Sequence, residues 1–175
     1  MVELEPENAD GHYNLGNALL AQEDYAGAAV QYGEVVQLKP ADELAYQKLA
    51  MCQKRLGKAA EAVSALRQAL ELKPDWAAAL ADLAWLLATS PEAKVRDGAE
   101  AVRLAQRAVE LTGRTDVKAL TALDAAYAEA GQYEQALSVA RTARAFALAS
   151  GQQAPADAAA RRMEFYRAHQ PFRER

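Results

Sequence analysis

The sequence predicts an all-α fold built from one pair of helices used several times over. A pattern recurs at a fixed spacing of 34 residues, with Leu4-Glu5-Pro6, Leu38-Lys39-Pro40 and Leu72-Lys73-Pro74 marking its register. Between these marks apolar residues fall at helical intervals, as Leu15, Ala18 and Leu19 do. The composition is rich in alanine and poor in β-branched residues, which favours helix by intrinsic propensity.

The elements follow in chain order. Residues 1–8 read as the remnant of a preceding repeat or linker, because Val2 to Glu7 looks like a last turn and its exit. The expectation is an excised fragment of a longer protein with Met1 added. Repeat one occupies 9–42: Glu23-Asp24 makes the turn, a second helix runs from Tyr25 to Leu38, and Pro40 stops it because proline lacks the next donor. Gly16 stands where the two helices of the pair must approach closely. Repeat two, 43–76, has helices expected at 43–56 and 59–72, with Gly57 free to cap the first in the left-handed conformation.

Repeat three, 77–113, starts on schedule with Leu80, Leu83, Ala84 and Leu87, but its turn is stretched across 89–98. Its second helix resumes with Ala101, Ala105 and Ala108, and Asp97 is suited to cap it. Repeat four, 114–150, carries Leu120, Leu123, Asp124 and Tyr127, then Gly131 and Ala136, Ala140 and Ala143. Pro155 opens a last helix to about His169 within 151–175, with Ala159, Met163 and Tyr166 on one face and Arg161, Arg162, Glu164 and Arg167 able to point elsewhere.

His12-x-x-Leu15-Gly16-x-x-Leu19, Ala28-x-x-x-Tyr32 and Pro40 are matched by Tyr46-x-x-Leu49-Ala50, Ala62-x-x-x-Leu66 and Pro74. A period of 34 with these bulky and small positions resembles the tetratricopeptide repeat family. Leu83-Ala84-Trp85-Leu86-Leu87-Ala88-Thr89-Ser90-Pro91, Arg96-Asp97-Gly98-Ala99-Glu100-Ala101-Val102 and Arg162-Met163-Glu164-Phe165-Tyr166-Arg167 are similar to a bacterial subtype of it. The resemblance implies a right-handed superhelical solenoid of four helix pairs plus a C-terminal capping helix, one continuous domain. It implies a non-catalytic scaffold that binds a protein or peptide segment in its concave groove.

Two alternatives accompany that reading. One is a self-assembly module stacking through its ends, since Glu3, Glu5, Glu7 and Asp10 oppose an arginine-rich stretch from Arg161 to Arg175. The other is the soluble regulatory tail of a larger membrane-bound transferase, since such segments of the subtype end larger proteins. The family prefers a small residue where Asp124 stands. Either the register differs there, or Asp124 is paired, with Arg103, Arg107, Arg141 or Arg144 as candidates; Asp124→Ala is then expected to be neutral or stabilising.

Chemistry is sparse. His12 takes the repeat's large-aromatic position, His169 has no second ligand at zinc spacing, and Gly57-Lys58 lacks the preceding glycine of a phosphate loop. No catalytic residue, metal site or cofactor is expected. A net charge of −4 and a pI near 5.3 give no reason to expect nucleic acid. No apolar run approaches the ~18 residues of a membrane span, so no direct insertion is expected. The single Cys52 cannot form an internal disulfide, which fits a reducing compartment and makes cytoplasm the expectation ahead of secretion.

Groove-facing positions carried over from the family are Asp10, Tyr13, Asn14, Asn17 and Ala21 in repeat one and Leu44, Gln47, Lys48, Met51, Lys54 and Arg55 in repeat two. Repeats three and four add Ala78, Ala81, Asp82, Trp85, Thr89, Lys118, Thr121, Ala122, Ala125 and Glu129. The candidate ligand-binding residues are Tyr13, Asn14, Asn17, Lys48, Met51, Arg55 and Trp85. Asn14 and Asn17 suit a peptide main chain because an amide both donates and accepts. Met51 and Trp85 offer apolar anchors, and Lys48, Lys54 and Arg55 a basic patch. Of the positions that clamp a chaperone carboxylate in this family, held here by Tyr13, Asn17, Lys48, Ala78 and Asp82, only one matches. The residues leave open whether the groove is empty or filled by the C-terminal tail; Phe172 and its arginines can reach back.

Overall fold

A computed structural model describes residues 8–174. Asn8, Asp24 and Asp42 each turn a side-chain oxygen onto the backbone N–H three residues on, at 2.9, 2.8 and 2.9 Å. These contacts satisfy orphan donors and start α1 (Ala9–Ala21), α2 (Tyr25–Leu38) and α3 (Glu43–Arg55). α3 is followed by Gly57 at φ 72°, a conformation that costs glycine little, and α4 (Ala59–Leu72) begins after it. Five helices follow: α5 (Ala77–Thr89), α6 (Gly98–Leu111), α7 (Val117–Glu129), α8 (Tyr133–Ala149) and α9 (Gln153–Arg167). Among the described residues there is no strand.

The chain divides into two compact units, residues 1–74 and 75–175. In the first, α1 packs on α2, α3 on α4, and α2 on α3. Its core gathers Ala28, Tyr32 and Cys52, with Tyr13, Leu19 and Leu49 packed against them. Gly16 explains how α1 and α2 close up, because a Cβ there would stand 3.0 Å from the Tyr32 ring. The close approach read from the sequence is therefore a seat for an aromatic ring. Tyr13 meets that ring edge-on at 5.6 Å between centroids.

In the second unit α5 is buried along most of its length, packed by α6 and α7. The stretched turn is an ordered staple. Residues 93–95 form one 3-10 turn, Arg96 donates to the carbonyls of Ser90 and Pro91, and its Nε reaches Glu129 Oε1 at 3.0 Å. Asp97 then caps α6, accepting from the Glu100 N–H at 2.9 Å. Gly98 lets the start of α6 lie on the end of α7, since a Cβ would meet the Ala130 nitrogen at 2.9 Å. The last helix starts at Gln153, two residues before the expected Pro155, and packs on α8 and α7.

Candidate functional site

The first unit presents the residues expected to bind. Tyr13 and Asn17 on α1 are half-buried and Asn14 is exposed. Asn17 has a structural task as well, because its Oδ1 accepts the Tyr32 hydroxyl at 2.9 Å. Its amide N–H groups and one lone pair of that oxygen are left for another chain. On α3, Leu44, Lys48, Met51 and Arg55 fall at helical spacing along one stripe, with Leu44 48% and Met51 41% exposed. Arg55 places its guanidinium 5.6 Å from the Tyr25 ring centroid, so part of the expected basic patch is held by an aromatic face. Behind the stripe, burial pushes the Cys52 thiol up to about 11, and burial, with Cys52 and Tyr13 nearby, pushes the Tyr32 phenol up to about 12.

The second unit differs. Trp85, expected as an open groove anchor, is covered by the chain's own C-terminal residues. Its ring lies 5.9 Å from Phe172, its Nε1–H donates to Glu174 Oε2 at 2.8 Å, and the Arg162 guanidinium stacks over it at 5.7 Å. Four more of the groove-facing positions, Ala81, Thr89, Ala122 and Ala125, are buried rather than groove-lining. Small side chains let α5 and α7 pack directly together, which removes the open surface between them. Asp82 pairs with Lys118 at 2.8 Å, and Glu129 holds both Arg96 and Arg173.

Asp124 is paired, but with none of the four arginines expected. Arg162 of α9 donates Nε to Oδ1 and Nη2 to Oδ2, both at 2.8 Å, and the Tyr166 hydroxyl donates to Oδ1 at 2.7 Å. Asp124 is fully buried and Arg162 only 4% exposed. Burial raises the Asp124 carboxyl, while the Arg162 and Tyr166 hydrogen bonds pull the other way. Burial also drives the Tyr166 phenol far up. Arg162, which the sequence reading left able to point elsewhere, is thus corrected to a buried partner, and a carboxylate so satisfied argues against a neutral Asp124→Ala. The signal was present: Arg162 stands three residues after Ala159 and four before Tyr166, inside the apolar stripe.

Near this cluster an open cleft of about 610 Å³ is lined by Val117, Lys118, Thr121, Phe146, Pro155 and Arg162. Among the described residues no group of three or more His, Cys, Asp or Glu is placed to hold a metal. No helix of the described residues is long and apolar enough to cross a membrane. The three acidic residues Glu3, Glu5 and Glu7 of the stacking alternative, and the remnant read over 1–8 apart from Asn8, lie outside the described residues.

Residues 19–86 match the family model described as tetratricopeptide repeat. Over that stretch the chain carries tetratricopeptide repeats. Comparison with curated proteins finds no match. Among solved structures, the crystal structure of MamA is similar, with a TM-score of 0.70, 18% identity, and coverage of 85% of this chain and 83% of that one. YrrB, titled a TPR protein with an unusual peptide-binding site, aligns with a TM-score of 0.65, 20% identity, and 87% and 82% coverage. The first TPR of Spaghetti (RPAP3), bound to an HSP90 peptide, aligns with a TM-score of 0.60, 20% identity, and 72% and 95% coverage. At these identities the likeness is one of fold: helix pairs of the tetratricopeptide type.

Proposed function

We propose that this chain is a non-catalytic scaffold that binds a peptide or protein segment on the α1 and α3 face of its first unit. The stripe on α3 carries the reading. Leu44 and Met51 leave apolar surface in water about two turns apart, with Lys48 between them and the Asn14 amide exposed on α1. Exposed apolar side chains beside amides and a cation suit an extended segment with an apolar anchor, an acidic residue and a main chain to hold. Preformed helices offer these groups without an ordering cost on binding. Similarity in fold to YrrB and to the RPAP3 domain, whose titles name a peptide-binding site and a bound peptide, supports the class of function. A chaperone-carboxylate clamp is not favoured, since Asp82 stands at one of its positions and already holds Lys118.

A displayed peptide library selected on the immobilised chain tests this. Wild type should enrich sequences sharing an apolar and an acidic residue, and Lys48→Glu with Met51→Ala should bind them at least tenfold more weakly. Equal binding by the folded double variant would remove the first unit's face from consideration. Self-stacking through charged ends finds less support. Arg162, Arg167 and Arg173 each hold a carboxylate of their own unit, which draws positive charge away from that end.

A further inference from the structure

Residues 171–174 behave in the structure as a bound peptide does. They lie beyond α9, are only half-buried, and form no helix. Phe172 sits between two aromatic rings, 5.9 Å from Trp85 and 5.8 Å from Phe165. The Glu174 N–H donates to the Thr89 carbonyl at 2.9 Å, while its carboxylate accepts from Trp85. Arg173 reaches the Ala88 carbonyl at 3.3 Å and forms an ion pair with Glu129 at 2.6 Å. An aromatic anchor, one main-chain hydrogen bond and two adjacent opposite charges make up a recognition set.

Phe172 packs on Phe165 and beside the Met163 and Tyr166 core of the helix that precedes it, but that helix has polar anchors of its own. α9 is held by Arg162 and Tyr166 on Asp124 and by Met163 in the core, none of which involves the tail's polar contacts. His169 takes φ 52° and stacks on Tyr133 at 5.2 Å, marking the point where the chain turns away from the helix. With the tail released, these anchors would still hold α9 on α7.

We propose that the α5–α7 face bearing Trp85, Thr89 and Glu129 is a second peptide-recognition site, specific for an aromatic–arginine–acidic segment and occupied in cis by Phe172-Arg173-Glu174. A partner segment presenting that same order of side chains occupies it when the tail is released, so the tail is a built-in competitor. This site is distinct from the first unit's stripe, and each stands or falls without the other.

The test uses a fluorescently labelled, amidated peptide of residues 169–174 and three proteins: the full chain, a chain ending at Gln170, and full-length Arg173→Glu, whose tail Glu129 repels. Fluorescence anisotropy should show saturable one-to-one binding to the shortened chain and to Arg173→Glu, at least tenfold tighter than to the full chain. Peptides with Phe172→Ala or Arg173→Glu should lose at least tenfold on the shortened chain. Circular dichroism checks that each protein retains its helices, and Arg173→Glu keeps every residue of α9 should the shortened chain fail to fold. If folded Arg173→Glu binds the peptide no better than the full chain does, or if the full chain binds as well as the shortened one, the tail is fixed packing and the proposal is overturned. The Lys48→Glu and Met51→Ala changes should leave this binding unaltered, which separates it from the first site.

Discussion

Replacing Asp124 by alanine examines the most constrained group in the second unit. The substitution removes the acceptor for two Arg162 hydrogen bonds and one from Tyr166, all between 2.7 and 2.8 Å. It leaves a guanidinium that is only 4% exposed without its counter-charge. Thr121, 3.3 Å from Nη2, is a weak substitute because it carries no charge. Breaking a buried pair by removing one partner costs about 3–5 kcal/mol. At roughly 2–4 °C per kcal/mol for a chain of this size, the melting temperature should fall by about 6–20 °C.

The assay is thermal unfolding followed by circular dichroism, applied to Asp124→Ala and to a double-mutant cycle of Asp124→Leu, Arg162→Met and both together. Buried ion pairs replaced whole by apolar groups are commonly neutral or up to about 4 kcal/mol more stable. The double variant should therefore recover most of what either single variant loses. If Asp124→Ala melts within about 3 °C of wild type, roughly 1 kcal/mol, the buried network is not structural and the argument from its geometry fails.

Three further outcomes follow from the same contacts. Gly98→Ala should destabilise by about 1–3 kcal/mol, since its Cβ meets the backbone of Glu129 and Ala130. Gly33→Ala should instead stabilise by about 0.5–1 kcal/mol in chemical denaturation, because it lies within α2 and its Cβ meets nothing within 4 Å. Cys52, fully buried with its thiol pushed up to about 11, should be alkylated at pH 8 at least ~100-fold more slowly in the folded chain than in urea. The folded state disfavours the thiolate, so this contribution is intact below the thiol's ordinary value of 9.0 and is lost as pH rises toward 11. Urea midpoints should fall over that window, and Cys52→Ala should weaken the fall.

Period and punctuation made the first unit legible. Leu38-Lys39-Pro40 and Leu72-Lys73-Pro74 marked the ends of α2 and α4, and both helices run between the residues expected. Asp97 was readable as a cap because capping depends on local sequence alone. The second unit resisted for a different reason. Helical periodicity says which residues share a face, but not what stands opposite. Arg162 was set outside a stripe it belongs to because charge was weighed above spacing. The partner of Asp124 is 38 residues away, and nothing local points to it. The tail contacts were harder still, since residues 171–174 have no period to read and reach α5 across more than eighty residues.

The same small residues account for the contrast between the two candidate faces. Alanines at Ala81, Ala122 and Ala125 bring α5 and α7 into contact, and the surface left beside Trp85 is a narrow aromatic seat. A lone indole exposed there would leave its ring in water, and Phe172 covers it. On α3 the equivalent stripe carries Leu44, Lys48 and Met51, long side chains that stand away from the helix and remain partly in water. A face of long, flexible side chains adapts to a range of segments, and methionine in particular repacks readily. A face built around one indole, one carbonyl and one carboxylate selects a narrow chemistry. Under the two proposals, the first unit serves open, adaptable capture, and the second recognition of a single short pattern that the chain itself supplies.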